Sequence, residues 1–317
     1  MTIMPNEFKA IRIAFGEELA KIGAERSDVV ALDSDLAHAS MSCLFADAFP
    51  DRFFNMGIAE ANTMGVAAGL AIAGHPVVAS GFSIFGACRA YEQVRNSIAY
   101  AGLNVTLAMS HSGLQVAEDG GSHQAIEDIS LMRTIPGMTV VVPADGNEVR
   151  LALRQAIDIQ APVYIRLGRL PLPVFTSLDG GFKIGKAVTL REGGDVTIFA
   201  IGIMVFRALQ AAEILAARGI EATVVNLHTV KPIDRAAVVA AAKRSGKVVT
   251  VEEHSVVGGL GSAVAEVLAE ECPTKMKRLG IQDRFGQSGA PDPLFAEYRL
   301  MPEQVAEDVA AFVKGGK

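Results

Sequence analysis

No tryptophan occurs among the 317 residues, and aromatic side chains make up only 6% of them. Single-stranded nucleic acids are bound by stacking bases on aromatics, so that kind of platform is disfavoured. Basic excess is missing too: 29 Lys and Arg face 35 Asp and Glu, a net charge of −6. With no long basic run, no nucleic-acid partner is expected. Cysteine is scarce. Cys43, Cys88 and Cys272 are far apart, odd in number and form no CxxC pair. That excludes a disulfide framework and a spaced zinc site and points to reduced thiols. Long hydrophobic runs are also lacking. The stretches 64–74 and 196–206 fall short of the roughly 20 residues that span a bilayer. The opening MTIMPNEFKAIR has no signal-peptide pattern. Together these absences predict a soluble cytoplasmic protein with no membrane partner.

What is present is apolar residues, 50% of the chain, in a length that suits two domains. Ile11, Phe15, Leu19 and Ile22 recur at helical spacing and predict a helix over 7–23. Thereafter short apolar runs alternate with helical patterns: VVALDS, RFFNMG before a helix near 58–73, PVVASGF before CRAYEQVRNSIAYAG, then NVTLAMSH, TVVVPAD, NEVRLALRQAIDI and PVYIRLG. Strands that are apolar throughout, with helices between them, indicate an α/β fold whose mostly parallel sheet is covered on both faces. The stretch 167–186, LGRLPLPVFTSLDGGFKIGK, is rich in Pro and Gly and reads as a linker. The alternation then resumes in a smaller α/β unit. The expected division is a first domain over 1–170, a linker over 171–190 and a second domain over 191–317.

The segment FFNMGIAEANTMGVAAGLAIAG carries one charged residue, Glu60. A carboxylate in apolar surroundings must be paired or protonated. It is either a structural hydrogen-bonding or surface group, or a glutamate held to share a proton with a bound heterocycle. Phe82 and Phe85 sit three apart across a turn and could pack in the core or form a shelf for a planar ring. The run SHSGLQVAEDGGSHQAIED follows an apolar strand, so it lies at a sheet's carboxyl edge, where α/β proteins bind ligands. It is a solvated loop or a site in which His111, His123 and Asp119 handle protons and hydroxyls. No HxH or HExxH spacing supports a metal there. The Gly259-x-Gly261 near 259 lacks a third glycine, Val264 standing in its place, so a tight turn is expected rather than a dinucleotide site.

RFFNMGIAEANTMGVAAGLA, GFSIFGACRAYEQVRNSIAYAG and EDGGSHQAIEDI resemble the C-terminal half of transketolase over essentially the whole chain. The resemblance implies a pyrimidine-binding domain for thiamine diphosphate followed by a transketolase C-terminal-like domain. It implies that Glu60 hydrogen-bonds the cofactor's aminopyrimidine and that Phe82 and Phe85 pack on that ring. It assigns His111 and His123 to catalysis on the donor sugar, Asp119 to a substrate hydroxyl, and Asp35 to the cofactor cleft. Arg12 and Arg166 become the arginines that grip a sugar phosphate, a planar fork meeting an oxyanion. Two positions depart from the family pattern: Cys88 stands where a third aromatic is expected, and Ala39, beside Ser40, where a serine is. A Gly-Asp-Gly segment is also absent. In the family it holds magnesium and the diphosphate, so Mg2+ falls to another chain and no metal ligand is expected here. The implied protein is one subunit of a split transketolase, assembled α2β2 with an N-terminal-half subunit and acting on sugar phosphates. A β subunit of a 2-oxo acid dehydrogenase and a non-catalytic scaffold are the competing readings.

Overall fold

The structure is a computed structural model and describes residues 7–315. The opening residues 1–6, part of the stretch that carries the signal-peptide reading, lie outside the described residues. The expected first helix starts late. Phe8–Ala10 forms a strand, β1, and α1 runs over Ile11–Glu25. α1 buries Ile11, Phe15, Leu19 and Ile22, the four residues whose period announces it.

The alternation read from the apolar runs follows. β2 is Val30–Asp33, succeeded by the short helices α2 (Ala37–Ser40) and α3 (Cys43–Ala48). β3 (Phe53–Asn55), α4 (Glu60–Ile72) and β4 (Val77–Phe82) come next. The helical stretch after β4 begins four residues earlier than its pattern suggests. Two π-type segments, Ile84–Arg89 and Val94–Ala99, flank a single turn, α5 (Tyr91–Gln93). Such wide turns recur at functional sites. The run continues with β5 (Val105–Ser110), a 3₁₀ segment Gly113–Asp119, α6 (Asp128–Thr134), β6 (Thr139–Val141), α7 (Gly146–Asp158) and β7 (Val163–Arg166).

Beyond β7 lie β8 (Pro171–Pro173), β9 (Val188–Arg191), β10 (Val196–Ala200), α8 (Ile203–Ala216), β11 (Ala222–Asn226) and β12 (Thr229–Lys231). The chain ends with α9 (Arg235–Ser245), β13 (Lys247–Ser255), α10 (Leu260–Glu271), β14 (Lys275–Ile281), α11 (Pro291–Glu297) and α12 (Pro302–Val313). Among the described residues two large sheets result, a seven-stranded one ordered β12-β6-β7-β5-β4-β2-β3 and a five-stranded one ordered β14-β13-β10-β11-β9, beside a two-stranded pair of β1 and β8. Both large sheets are parallel except at one edge, where β12 and β9 run antiparallel. The fold is therefore α/β with mostly parallel sheets, each flanked by helices.

The Pro/Gly-rich stretch is no free tether. Its β8 pairs antiparallel with β1, which is why the chain's first helix starts late. Asp145, at the start of α7, accepts from Phe175 N, Thr176 N and Thr176 Oγ1 at 2.6–2.8 Å. In addition, β12 comes from the second half of the chain yet closes the first sheet. One apolar cluster joins Ile11, Phe15 and Leu153 to Ile198, Met204 and Leu294, so the two halves share a core. The parallel strands β2, β3, β4, β5 and β7 all end on one edge, and the candidate residues gather there.

Candidate functional site

Glu60 is the first residue of α4 and is 4% exposed. The positive end of a helix favours a carboxylate there. The turn before it is tied down: Thr63 Oγ1 bonds Ala59 O at 3.0 Å and meets Ser34 Oγ at 2.9 Å. Among the described residues one side-chain partner touches the carboxylate. Arg89 Nη1 donates to both oxygens, at 3.3 and 3.4 Å. The Arg89 guanidinium lies over the Phe85 ring, 4.4 Å from its centroid.

From Phe85 the contacts run on. Phe82, the last residue of β4, stacks on Phe85 at 6.1 Å and 13°. His111 stacks on Phe82 at 3.8 Å and 22°, and His123 meets Phe85 edge-on at 5.4 Å. Phe82, Phe85, His111 and His123 thus form one chain of ring contacts, and Arg89 joins it to Glu60. His111 follows β5 with a left-handed backbone, φ 55°. Its pKa falls to about 3, through burial first and then the charges of Arg12, Arg169 and His123. The imidazole is therefore neutral at physiological pH and can accept at one nitrogen while donating from the other. Its Nδ1 lies 3.0 Å from Ser110 Oγ.

Asp35 and Asp119 stand at the rim, both exposed. Asp35 accepts from Asn55 Nδ2 at 3.1 Å and has φ 63°. Its turn is shaped by Asp33, whose buried carboxylate accepts from Leu36 N, Ser40 Oγ and Ser42 Oγ at 2.5–3.0 Å. Burial lifts the Asp33 pKa to about 6 against those hydrogen bonds. Sequence reasoning missed this residue, although it is the acid inside the apolar strand.

The two arginines fare differently. Arg12, on α1, donates to Ala39 O at 3.0 Å, and its buried Nε has no partner among the described residues. Burial, then the charge of Arg169, lowers its pKa. Arg166 is a correction. It is 5% exposed and spent inside the protein: Nε on Asp128 Oδ2 at 2.8 Å, Nη2 on the carbonyls of Ala125 and Glu253 at 3.1 and 3.2 Å. As the last residue of a strand buried along its whole length, it faces the interior and has no free fork for a phosphate. Arg169 replaces it. Three residues on, in the loop beyond the strand, it bonds Val116 O at 2.5 Å and lies near Arg12 and His111. In the sequence the two arginines of YIRLGRLP differ only in place, Arg166 inside the apolar run and Arg169 beyond it, and in the fold Arg169 also pairs with Glu118 at 3.5 Å.

Arg166 instead helps to hold the loop that carries the histidines. Gly113 N bonds Ala125 O at 2.9 Å, pinching the loop's ends together. Glu253, from the second sheet, accepts from Gln115 N at 2.6 Å and Gln115 Nε2 at 2.8 Å. Burial raises the Glu253 pKa to about 6 despite Arg166 and those bonds. Gly113 has φ 64°, and a Cβ there would lie 2.7 Å from Glu253 Oε1. Ser288 Oγ bonds Glu118 O at 2.5 Å, and Gln124 Nε2 bonds Gln287 O at 3.0 Å. The second half of the chain thus fixes the loop of the first.

The chemistry of this set suits a flat nitrogen heterocycle: a buried acceptor beside an aromatic face, with neutral imidazole next to it. It does not suit a metal. Among the described residues no group of three or more His, Cys, Asp or Glu side chains is arranged to hold a metal ion.

Comparison with known proteins follows the same lines. Residues 8–174 match the transketolase pyrimidine-binding domain, and residues 185–305 the transketolase C-terminal domain. The 6-deoxy-6-sulfo-D-fructose transketolase subunit SqwH of Clostridium sp. strain MSTE9 is 48% identical over 283 residues, 89% of this chain and 88% of that one. A putative transketolase C-terminal section of Methanocaldococcus jannaschii is 42% identical over 317 residues, covering 99% of both chains. Among solved structures, a split-gene transketolase in an inactive β4 tetramer superposes with a TM-score of 0.91 at 49% identity, over 98% of this chain and 100% of that one.

Proposed function

The chain belongs to the transketolase family, and from that premise we infer that it is one subunit of a split enzyme. It transfers a two-carbon ketol unit from a ketose phosphate to an aldose acceptor, with thiamine diphosphate as cofactor. The observation that carries this is the buried Glu60 carboxylate at the head of an aromatic and imidazole surface. When bound, the cofactor supplies the carbon nucleophile and electron sink that ketose cleavage requires.

The chain's own residues bind and steer. Glu60 holds the proton at the aminopyrimidine ring nitrogen, and Phe82 and Phe85 keep that ring flat and dry. The neutral His111 imidazole, and His123 beside it, exchange protons with the donor's hydroxyl and carbonyl oxygens. Asp119 reads a hydroxyl and Asp35 lines the cleft. Arg12 and Arg169 take the anion at the sugar's far end, because a charged fork meets an oxyanion there. Phosphate is the first reading; a sulfonate is the second, favoured by the 48% identity to a sulfosugar transketolase subunit.

We assign 1–170 to the pyrimidine-binding domain, 171–190 to the linker and 191–317 to the C-terminal domain. Mg2+ and the diphosphate go to a partner subunit of the N-terminal half, in an α2β2 assembly. Supporting this, α4 leaves Gly65, Gly69 and Ile72 bare on the helix that carries Glu60. A cytoplasmic location accords with three unpaired cysteines, and no helix among the described residues is long and apolar enough to cross a membrane. The 2-oxo acid dehydrogenase reading is not favoured, since the relatives above are transketolase subunits.

The test is reconstitution with the co-purifying partner and a Glu60→Ala variant. Ketol transfer from xylulose 5-phosphate is expected to fall by about 10²-fold or more, with an unchanged circular dichroism spectrum. Full cofactor-dependent activity in that variant, or turnover of pyruvate in place of the ketose, would refute the reading.

A further inference from the structure

We propose that Arg89 is a placeholder in the cofactor pocket: its guanidinium stands where the aminopyrimidine ring is to lie and must swing out for the ring to enter. The inference rests on the proposed function above and adds a step that precedes it. Two groups define the ring's place, the Glu60 carboxylate and the Phe85 face. The Arg89 guanidinium already engages both, through Nη1 at 3.3 and 3.4 Å from the two Glu60 oxygens and through Cζ at 4.4 Å from the Phe85 centroid. A guanidinium is flat, delocalised and rich in N–H donors, so it stacks on an aromatic and pairs with a carboxylate as an aminopyrimidine does. Without such a stand-in, a nearly dry carboxylate would be left facing an apolar shelf.

The same geometry makes the placeholder removable. Its single nitrogen divides itself between two oxygens, and both distances lie beyond the usual range for N–H···O. The Arg89 side chain is 55% exposed, against 5% for that of Glu60, so the long arm has water to swing into. Departure is also required. A ring nitrogen cannot come within hydrogen-bond distance of the Glu60 carboxylate while Nη1 faces both of its oxygens and the guanidinium covers the Phe85 face.

The experiment measures equilibrium binding of thiamine diphosphate, by calorimetry, to the chain assembled with its co-purifying partner and Mg2+. Wild type, Arg89→Ala and Glu60→Ala are compared, with and without about 20 mM methylguanidinium. The expected result is that Arg89→Ala binds the cofactor at least about threefold tighter than wild type. Added methylguanidinium should refill the vacated place and weaken binding to Arg89→Ala while leaving wild type unmoved. Weaker or unchanged binding by Arg89→Ala, or no competition by methylguanidinium, overturns the placeholder while leaving the cofactor site intact. Failure of the folded wild-type assembly to bind at all overturns the proposed function together with it.

Discussion

At the scale of the residue, the decisive contrast is between two arginines three positions apart. Arg166 forms a buried pair with Asp128 and spans two backbone carbonyls. Arg169 lies beyond the strand, a third of its side chain exposed, beside Arg12 and His111. Their substitutions should part accordingly. Arg169→Ala is expected to raise KM for a phosphorylated ketose by about 10- to 100-fold, the loss of one charged contact to an anion, with kcat little changed and the unfolding midpoint kept. Arg166→Ala should instead cost about 3–5 kcal/mol of stability, since it strands the Asp128 charge in the interior. Steady-state kinetics beside urea melts separate them; a KM effect confined to Arg166→Ala would reverse the assignment.

At the scale of the element, the loop between β5 and α6 is held at several points, and its tightest is glycine 113. Its left-handed backbone and the Glu253 oxygen where a Cβ would sit leave no room for a side chain. Gly113→Ala is expected to destabilise the chain by about 1–3 kcal/mol, a strained backbone plus a displaced carboxylate. The readouts are the urea midpoint and hydrogen exchange of residues 111–125, which should lose protection ahead of α1. Uniform exchange through the chain would mean that the loop is no separate unit. The Glu253 bond to Gln115 also has a pH sense. A carboxyl whose folded pKa is about 6 contributes stability that is complete below its unfolded value, about 4.3, and is lost as pH rises through about 6. His111 runs the other way: its folded pKa of about 3 lies under the unfolded value of about 6.5, so its contribution is lost as pH falls toward about 3.

At the scale of the whole molecule, the two halves are neither independent domains nor a domain and an appendage. β8 and β12 cross to the first half, the apolar core runs through both, and Glu253 and Ser288 reach back to the histidine loop. One cooperative unfolding transition is therefore expected by scanning calorimetry, with the calorimetric and van't Hoff enthalpies equal. A fragment ending at 170 lacks both crossing strands and part of its core, and should not unfold cooperatively. Two resolved transitions, or a fragment as stable as the whole, would contradict this.

The amino-acid sequence by itself determined the alternation of the main strands and helices, the parallel habit of the sheets and the placing of Glu60 near a helix's N-terminus. Apolar runs, helical periods and lone charges are local signals, and local backbone preference answers to them. It did not disclose β1, β8, β9 and β12, which are three or four residues long, or β14, whose first four residues are exposed or half-buried, so no apolar run marks them. Nor did it choose between Arg166 and Arg169, bring Arg89 onto Glu60 or join Gln115 to Glu253, partners 138 residues apart. Those outcomes depend on which strand ends share an edge and which side chains are enclosed between two sheets, and only the folded chain decides that.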